Sequence, residues 1–251
     1  MFAAEVRPRI EALLGGLGDV ECREWVFAGL GESDLAERLA PVLLGFEGLE
    51  VGYCAGSSSV RLRGIGRPEL LEKVDAAVVE TFPYQAASSH GETMEEVVVG
   101  LLKQRGEWVS AAESCTGGLI AHRLTNVPGA SAVLGTSFVT YANEAKTGLL
   151  GVSEALLRER GAVSPETAEA MAQGCLAASG ADWALAVTGI AGPSGGSAEK
   201  PVGTVWIAVA GKGLETVVRK GFFPVDRETF KLRASEKALD LLRRRMLGFP
   251  S

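Results

Sequence analysis

The chain has 251 residues, a length that suits one large domain or a catalytic domain with a smaller companion. Its 47% hydrophobic and 22% charged residues are typical of a globular protein, and no apolar run reaches the roughly 18 residues of a membrane span. The four scattered cysteines form no CxxC pair, which argues against a disulfide scaffold and a zinc site. The net charge of −6 lies wholly in residues 1–90, and this acidity makes nucleic-acid binding there unlikely.

Residues 1–90 have the pattern of a small α+β unit. The predicted elements are helices at 2–14, 33–46 and 68–82, with strands at 21–27 and on both sides of a turn at 56–59. This order is typical of a compact two-layer sandwich. Residues 83–92 are small, polar and interrupted by proline, so we predict a linker there and a second domain over 91–251.

Strands and helices alternate beyond residue 93, which predicts an α/β domain built as a three-layer α/β/α sandwich with a mixed sheet. One helix is marked at both ends, by Ser164 as N-cap, Pro165 in its first turn and Gly180 at its end. The predicted strands are 108–113, 132–141, 183–188, 203–210 and 215–223, and the other predicted helices are 94–105, 119–126, 143–150, 153–160 and one that starts at Asp226.

The segment ESCTGG at 113–118 lies between a predicted strand and a predicted helix. A hydroxyl at the start of a helix meets free N–H groups and the positive end of the helix dipole, which can hold a phosphate or an oxyanion. Ser114 is therefore a candidate nucleophile. Two alternatives stay open: Ser114 or Thr116 only caps the helix, or Cys115 is the nucleophile, since helix N-termini lower the pKa of a thiol.

A serine nucleophile needs a base to take its proton. His122 lies too far along the following helix and His90 lies in the linker, which leaves Tyr141 and Lys146 at the end of a strand that leads into a helix. The pKa of a catalytic lysine must fall from about 10.4 towards 7–8, at a cost of about 4 kcal/mol. Taken singly, Lys146 also fits a solvated helix residue and Tyr141 a half-buried strand aromatic.

A loop rich in glycine and proline follows the strand that ends at Thr188. Such a loop can surround a phosphate or a ribose with backbone amides, although it matches neither the P-loop nor the dinucleotide fingerprint. An S-x-x-K motif at 197–200 lies in this loop rather than on a helix, so we assign it no catalytic role.

Five segments, in this order and spacing, resemble the C-terminal domain of the CinA family, the nicotinamide mononucleotide deamidases. They are AESCTGG (112–118), FVTYANEAK (138–146), GAVS (161–164), TGIAGP (188–193) and KPVGTVW (200–206). Residues 1–90 resemble the family's middle, KH-like domain, mainly through GLGESDLAERL at 29–39. Full-length members begin with a further domain similar to molybdopterin-binding proteins, which has no counterpart in this sequence, and its activity is not carried over.

The resemblance implies that the chain hydrolyses the carboxamide of nicotinamide mononucleotide to nicotinate mononucleotide and ammonia, a step of NAD salvage. It implies that Ser114 is the nucleophile and that Lys146, with Tyr141 in a hydrogen-bonded relay, takes its proton. The residues that it implies for binding the nucleotide are Glu113, Thr116, Gly117, Gly118, Asn143, Thr188, Gly189, Gly192 and Lys200, with Arg227 and Lys231 on the 5′-phosphate. We expect a cytoplasmic homodimer with no cofactor, metal ion or membrane partner.

A non-catalytic role is the alternative: a nucleotide-binding regulatory protein linked to competence or DNA damage. The chain also departs from the family at three positions, with Ser194 for a common aspartate, Val225 for a glycine and Lys231 for an arginine. These departures concern the phosphate site. Because the set of Ser114, Tyr141 and Lys146 is intact, the sequence favours an amidohydrolase.

Overall fold

The protein is described by a computed structural model that covers residues 20–56 and 59–250. The predicted helix at 2–14 lies outside these residues. Within them, two β-sheets are each covered by helices. No helix in the described ranges is long and apolar enough to cross a membrane.

The first sheet is antiparallel and carries helices on one face. Its strands are β1 (Glu21–Ala28), β2 (Glu50–Ala55), β3 (Ser59–Gly66) and β4 (Ala86–Ser88), in the order β2-β3-β1-β4. Helices α1 (Glu32–Leu43) and α2 (Pro68–Thr81) bury a core around Trp25, Phe27 and Leu62. The indole N–H of Trp25 donates to Asp75 on α2 over 2.7 Å, which satisfies a donor that the core would otherwise leave unpaired.

The prediction of a linker at 83–92 is wrong in part, because β4 lies inside it. Val26 of β1 pairs with Ser88, and Phe27 pairs with Ala86. Three small residues show no periodicity that a sequence pattern could reveal, and they form a strand because the edge of β1 offers free backbone groups. Arg243, which is 2% exposed, also donates to the carbonyl oxygen of Tyr84 and so ties this segment to the second domain.

The second sheet is mixed and lies between two helical layers, as the sequence predicted. Its strands are β5 (Val109–Glu113), β6 (Phe138–Val139), β7 (Trp183–Gly189), β8 (Thr204–Gly211) and β9 (Val217–Phe222), in the order β6-β5-β7-β8-β9, with β5 parallel to β6 and β7 and the other pairs antiparallel. The helices are α3 (Met94–Arg105), α4 (Leu119–Thr125), α5 (Asn143–Leu150), α6 (Glu154–Arg160), α7 (Pro165–Ser179) and α8 (Arg227–Leu247).

Alternate residues of β7 enter the two cores of this sandwich. Leu185 and Val187 pack against α3, α4 and α8, whereas Ala184 and Ala186 face α5, α6 and α7. The side chains of β7 that face α7 are alanines, and their small size lets α7 lie close to the sheet. The period of two is that of a strand buried on both faces.

The predicted strand at 132–141 is largely wrong. A short 3₁₀ turn covers Ala130–Ala132, and the stretch pairs with β5 at Phe138–Val139 and through one isolated bridge between Leu134 and Val109. The hydroxyl of Ser110 donates to the carbonyl oxygen of Thr136 over 2.8 Å. This side-chain hydrogen bond takes the place of a backbone hydrogen bond between the two segments. Branched and aromatic residues are frequent in this stretch, but the edge position lets the backbone leave the ladder.

Helix α5 lies unusually close to α7, and this packing holds Lys146 in the interior. A Cβ atom added to Gly174 of α7 would lie 1.8 Å from the carbonyl oxygen of Leu150. Only glycine permits that approach. The helix α7 begins where the sequence predicted, with Ser164 accepting from the N–H of Thr167 over 3.2 Å.

Candidate active site

A pocket of about 190 Å³ lies at the carboxyl ends of β5 and β7, where ligands commonly bind in open α/β sheets. Ser114 follows β5 directly, Thr188 lies near the end of β7, and Arg227 begins α8. The lining residues are Ser114, Cys115, Tyr141, Lys146, Ala162, Val163, Thr188, Gly189, Ala191 and Arg227. The structure thus brings together the predicted Ser114, Tyr141 and Lys146 with three of the predicted binding residues.

The turn that carries Ser114 is fixed by backbone hydrogen bonds on both sides. The N–H of Ser114 donates to the carbonyl oxygen of Val187 over 3.0 Å, and the N–H of Gly117 donates to the carbonyl oxygen of Ser114 over 3.1 Å. Gly117 and Gly118 then adopt φ values of +61° and +93°, which L side chains rarely adopt. Ser114, 9% exposed, is held at the wall of the pocket.

Lys146 is buried against Ser114. Its side chain is 1% exposed, and its Nζ lies 3.3 Å from Oγ of Ser114, 2.9 Å from the carbonyl oxygen of Thr140 and 3.3 Å from that of Tyr141. Burial lowers the pKa of Lys146, against smaller opposing effects of Cys115 and Glu144. A neutral amine suits these partners, because two N–H groups reach the two carbonyl oxygens and the lone pair can accept the Ser114 hydroxyl proton.

Two alternatives from the sequence are disfavoured by the structure. The N-cap of α4 is Gly118, so the interpretation of Ser114 or Thr116 as a helix cap is wrong. Cys115 is 5% exposed, and burial raises the pKa of its thiol to about 12, which disfavours the nucleophilic thiolate. Thr116 is fully buried, and its hydroxyl has no hydrogen-bond partner within the described ranges.

Glu113 lies behind the site rather than in it. Its side chain is fully buried, and its carboxylate accepts the N–H groups of Gly118, Ile120 and Ala121 over 2.9–3.0 Å. These amides were candidates to bind an oxyanion, and the carboxylate already occupies them. Cys115 and Thr116 keep backbone N–H groups that donate to no other residue in the described part of the chain.

Tyr141 lies at the mouth of the pocket and is 59% exposed. Its hydroxyl accepts from Nη2 of Arg227 over 2.8 Å, and Nη1 of Arg227 donates to the carbonyl oxygen of Gly192 over 2.9 Å. Tyr141 meets Lys146 through its carbonyl oxygen instead. A proton relay through its phenol stays a prediction.

The other predicted binding residues surround the pocket at different depths. Thr188 is 1% exposed and donates its hydroxyl hydrogen to the carbonyl oxygen of Ala162 over 2.7 Å. Gly189 is required because an added Cβ would lie 2.7 Å from the carbonyl oxygen of Thr204. Gly192 contributes the carbonyl oxygen that Arg227 binds.

Eight of the eleven predicted binding residues lie outside the pocket lining, namely Glu113, Thr116, Gly117, Gly118, Gly192, Lys200, Asn143 and Lys231. Nζ of Lys200 donates to the carbonyl oxygen of Arg160 over 2.8 Å, which ties the glycine-rich loop to the end of α6. Asn143 is exposed as the first residue of α5. Lys231 is half-buried, with its Nζ 3.8 Å from where a Cβ of Gly117 would lie, so it is near the Ser114 turn.

Ala162, Val163 and Ala191 also line the pocket, and no sequence motif marks them as binding residues. Small apolar side chains carry no chemical signal, although all three lie in segments that carried the family resemblance. No group of three or more His, Cys, Asp or Glu side chains in residues 20–56 and 59–250 is placed to hold a metal ion.

Comparison with known proteins gives the same boundaries as the second sandwich. Residues 91–246 match the family model described as the CinA C-terminal domain. A CinA-like protein of Akkermansia muciniphila is 45% identical over 243 residues, covering 94% of this chain and 59% of the relative. A CinA-like protein of Geobacter metallireducens is 46% identical over 228 residues, covering 88% and 55%. The chain therefore spans little more than half the length of these relatives.

Solved structures match the C-terminal part. The crystal structure of the competence/damage inducible protein CihA from Agrobacterium tumefaciens is 43% identical, with a TM-score of 0.58, and the match covers 62% of this chain and 98% of that chain. A CinA superfamily protein from Klebsiella pneumoniae is 34% identical, with a TM-score of 0.60, and the match covers 62% and 97%.

Proposed function

The chain belongs to the CinA family, and we propose that it is an amidohydrolase that converts nicotinamide mononucleotide and water to nicotinate mononucleotide and ammonia. The observation that carries the proposal is the 3.3 Å contact between Nζ of the buried Lys146 and Oγ of Ser114. Burying an amine costs free energy, which its hydrogen bonds to the carbonyl oxygens of Thr140 and Tyr141 offset in part, and its further contact with a hydroxyl is the arrangement that a base beside a nucleophile needs. This contact therefore favours an enzyme over the regulatory alternative.

Acylation begins with the neutral Lys146, which takes the proton of the Ser114 hydroxyl while Oγ attacks the carboxamide carbon. The oxyanion that forms needs hydrogen-bond donors, and we assign this role to the N–H groups of Cys115 and Thr116. The Lys146 ammonium then returns the proton to the leaving nitrogen. Ammonia departs, and a nicotinate ester of Ser114 remains.

Deacylation repeats the sequence with water. Lys146 takes a proton from a water molecule, whose oxygen attacks the ester carbon, and the proton passes to Oγ of Ser114 as the ester bond breaks. The enzyme returns to its starting state. One water is consumed for each carboxylate and ammonia formed.

The small volume of the pocket supports a binding mode in which only part of the nucleotide enters it. Its volume of about 190 Å³ lies below the roughly 300–1,000 Å³ typical of small-molecule sites. We propose that the nicotinamide ring enters between Ala162, Val163 and Ala191 and that the ribose phosphate stays at the mouth. Arg227 supplies positive charge beside Tyr141 at the mouth, and Lys231 supplies it near the Ser114 turn, which suits a phosphate.

Ammonia release from nicotinamide mononucleotide by the purified chain tests this function directly. Ser114→Ala is the matched blank, because it removes the attacking oxygen and leaves the pocket in place. Tight nucleotide binding with ammonia release no faster than that of Ser114→Ala would instead support the regulatory alternative.

We also propose that residues 91–251 form a domain separable from 1–90. The solved Agrobacterium protein supports this, since 98% of its chain matches a part that covers 62% of the present chain. A homodimer stays a prediction, which light scattering of the purified protein tests.

A further inference from the structure

We infer that Glu113 is a positioning residue for the Ser114 nucleophile, which it orients by capping α4 from the preceding strand. Three observations point to this role. Oε2 accepts from the N–H groups of Gly118 and Ile120, each over 3.0 Å, and Oε1 accepts from the N–H of Ala121 over 2.9 Å. The inference rests on the proposed function for its catalytic consequence.

The carboxylate replaces a side chain that the helix lacks. Helix N-caps are usually Ser, Thr, Asp or Asn, whose side chains accept from the second and third helical N–H groups. The N-cap of α4 is Gly118, which has no side chain to do this. Ile120 and Ala121 hold those second and third positions, and Glu113 satisfies both.

Both ends of the Ser114 turn are thereby fixed to one residue. The backbone of Glu113 pairs with Val139 of β6 and Val187 of β7, so it is held between two strands. Its side chain holds the start of α4. The intervening residues 114–117 carry the nucleophile and the two N–H groups assigned to the oxyanion, so their geometry depends on this closure.

A direct role in substrate binding does not fit this position. Glu113 is fully buried and is not among the residues that line the pocket. Oε2 already accepts two hydrogen bonds and Oε1 accepts one. The carboxylate also neutralises the positive end of the α4 dipole. A second anion would be repelled there, so this helix start does not suit an anionic ligand.

Glu113→Gln is the first test, because it keeps the volume of the side chain but directs an NH₂ group at N–H donors. We expect kcat for nicotinamide mononucleotide to fall about 100-fold, the size of effect seen when an oxyanion donor is lost, with KM changed less than about threefold. A second readout is the rate at which a fluorophosphonate probe labels Ser114, with Ser114→Ala as the blank. This rate should fall in parallel with kcat.

Glu96→Gln is the matched control. Glu96 accepts from the N–H of Thr93 in the capping box of α3, so its replacement also removes a helix-capping carboxylate, but from a different helix than the one that follows Ser114. We expect it to lower the melting temperature without lowering kcat or the labelling rate. An equal loss of activity in both variants, or a labelling rate in Glu113→Gln within threefold of the parent, would overturn the inference.

If Glu113→Gln does not fold, Glu113→Asp is used in its place. It keeps the charge and shortens the reach to the three N–H groups, so the labelling rate should again fall while the variant stays folded at the assay temperature, and a parental rate overturns the inference. Labelling of the parent without release of ammonia would refute the proposed substrate alone. The positioning role would then still be decided by the probe.

Discussion

Ser114 and Lys146 are expected to act as one unit, so removing both should cost no more activity than removing either. The changes are Ser114→Ala, Lys146→Met and the double variant. Lys146 makes its only contact with the proposed reacting atoms through Oγ of Ser114, at 3.3 Å. Once the hydroxyl is gone, the amine has no proton to take.

The expected loss follows from the roles of the two groups. A general base contributes about 10²–10⁴-fold and a nucleophile more, so each single variant should lose about 10³-fold in kcat, or about 4 kcal/mol in transition-state stabilisation. Independent contributions would multiply to about 10⁶-fold in the double variant. Groups that act as a unit give the same residual rate in all three variants.

Ammonia release under saturating nicotinamide mononucleotide measures these rates, with binding of the nucleotide measured separately to show that the pocket persists. Cys115→Ala is the matched control, because the pKa of its thiol is raised to about 12 and we expect activity within about threefold of the parent. Multiplicative losses, or a Ser114→Ala variant within a few-fold of the parent, would refute the reasoning.

Further predictions concern the Lys146 amine, the close approach at Gly174 and the isolated second domain. The kcat/KM should rise with pH through the pKa of Lys146, with its midpoint below the usual 10.4 because burial lowers that pKa; a midpoint at 10.4 or above would contradict a buried base. Because the unfolded chain binds this proton more tightly, the unfolding free energy of the parent relative to Lys146→Met should rise with pH between the folded and unfolded pKa values, as urea titrations can measure. Gly174→Ala should lower the unfolding free energy by about 3 kcal/mol, since its Cβ would lie 1.8 Å from Leu150, whereas Gly148→Ala, with nothing within 4 Å, should be neutral or stabilising; equal melting temperatures would contradict the packing. Residues 93–251 alone should fold and keep the activity, and a soluble, monodisperse but inactive fragment would show that residues 1–90 help to build the site.

Elements with strong periodicity or marked ends could be predicted from the sequence. The helix from Pro165 to Ser179 had a cap, a proline and a terminal glycine, and the structure confirms all three. The strand at 132–141 and the linker at 83–92 could not be predicted correctly. Their hydrogen bonds depend on which edge lies beside them, as with Ser110 and Thr136, and such partners are distant in the chain.

The position of Glu113 shows the same limit within the site. The sequence shows a glutamate next to Ser114. It also shows two glycines before the helix, which indicates that no side chain at those positions caps it. That the carboxylate turns inward to supply the cap follows only from the burial of β5 between β6 and β7.

The residue types of the site and their order can be predicted from the sequence, because a serine, a lysine and a glycine-rich loop occur at the ends of predicted strands. The roles of these residues depend on how distant segments pack. Close packing of α5 against α7 buries Lys146, and burial is what lowers its pKa and makes an ordinary lysine a candidate base. The Tyr141 hydroxyl meets Arg227, and Ser114 is the side chain that Lys146 meets. Burial and contact are properties of segments far apart in the chain, and no local pattern encodes them.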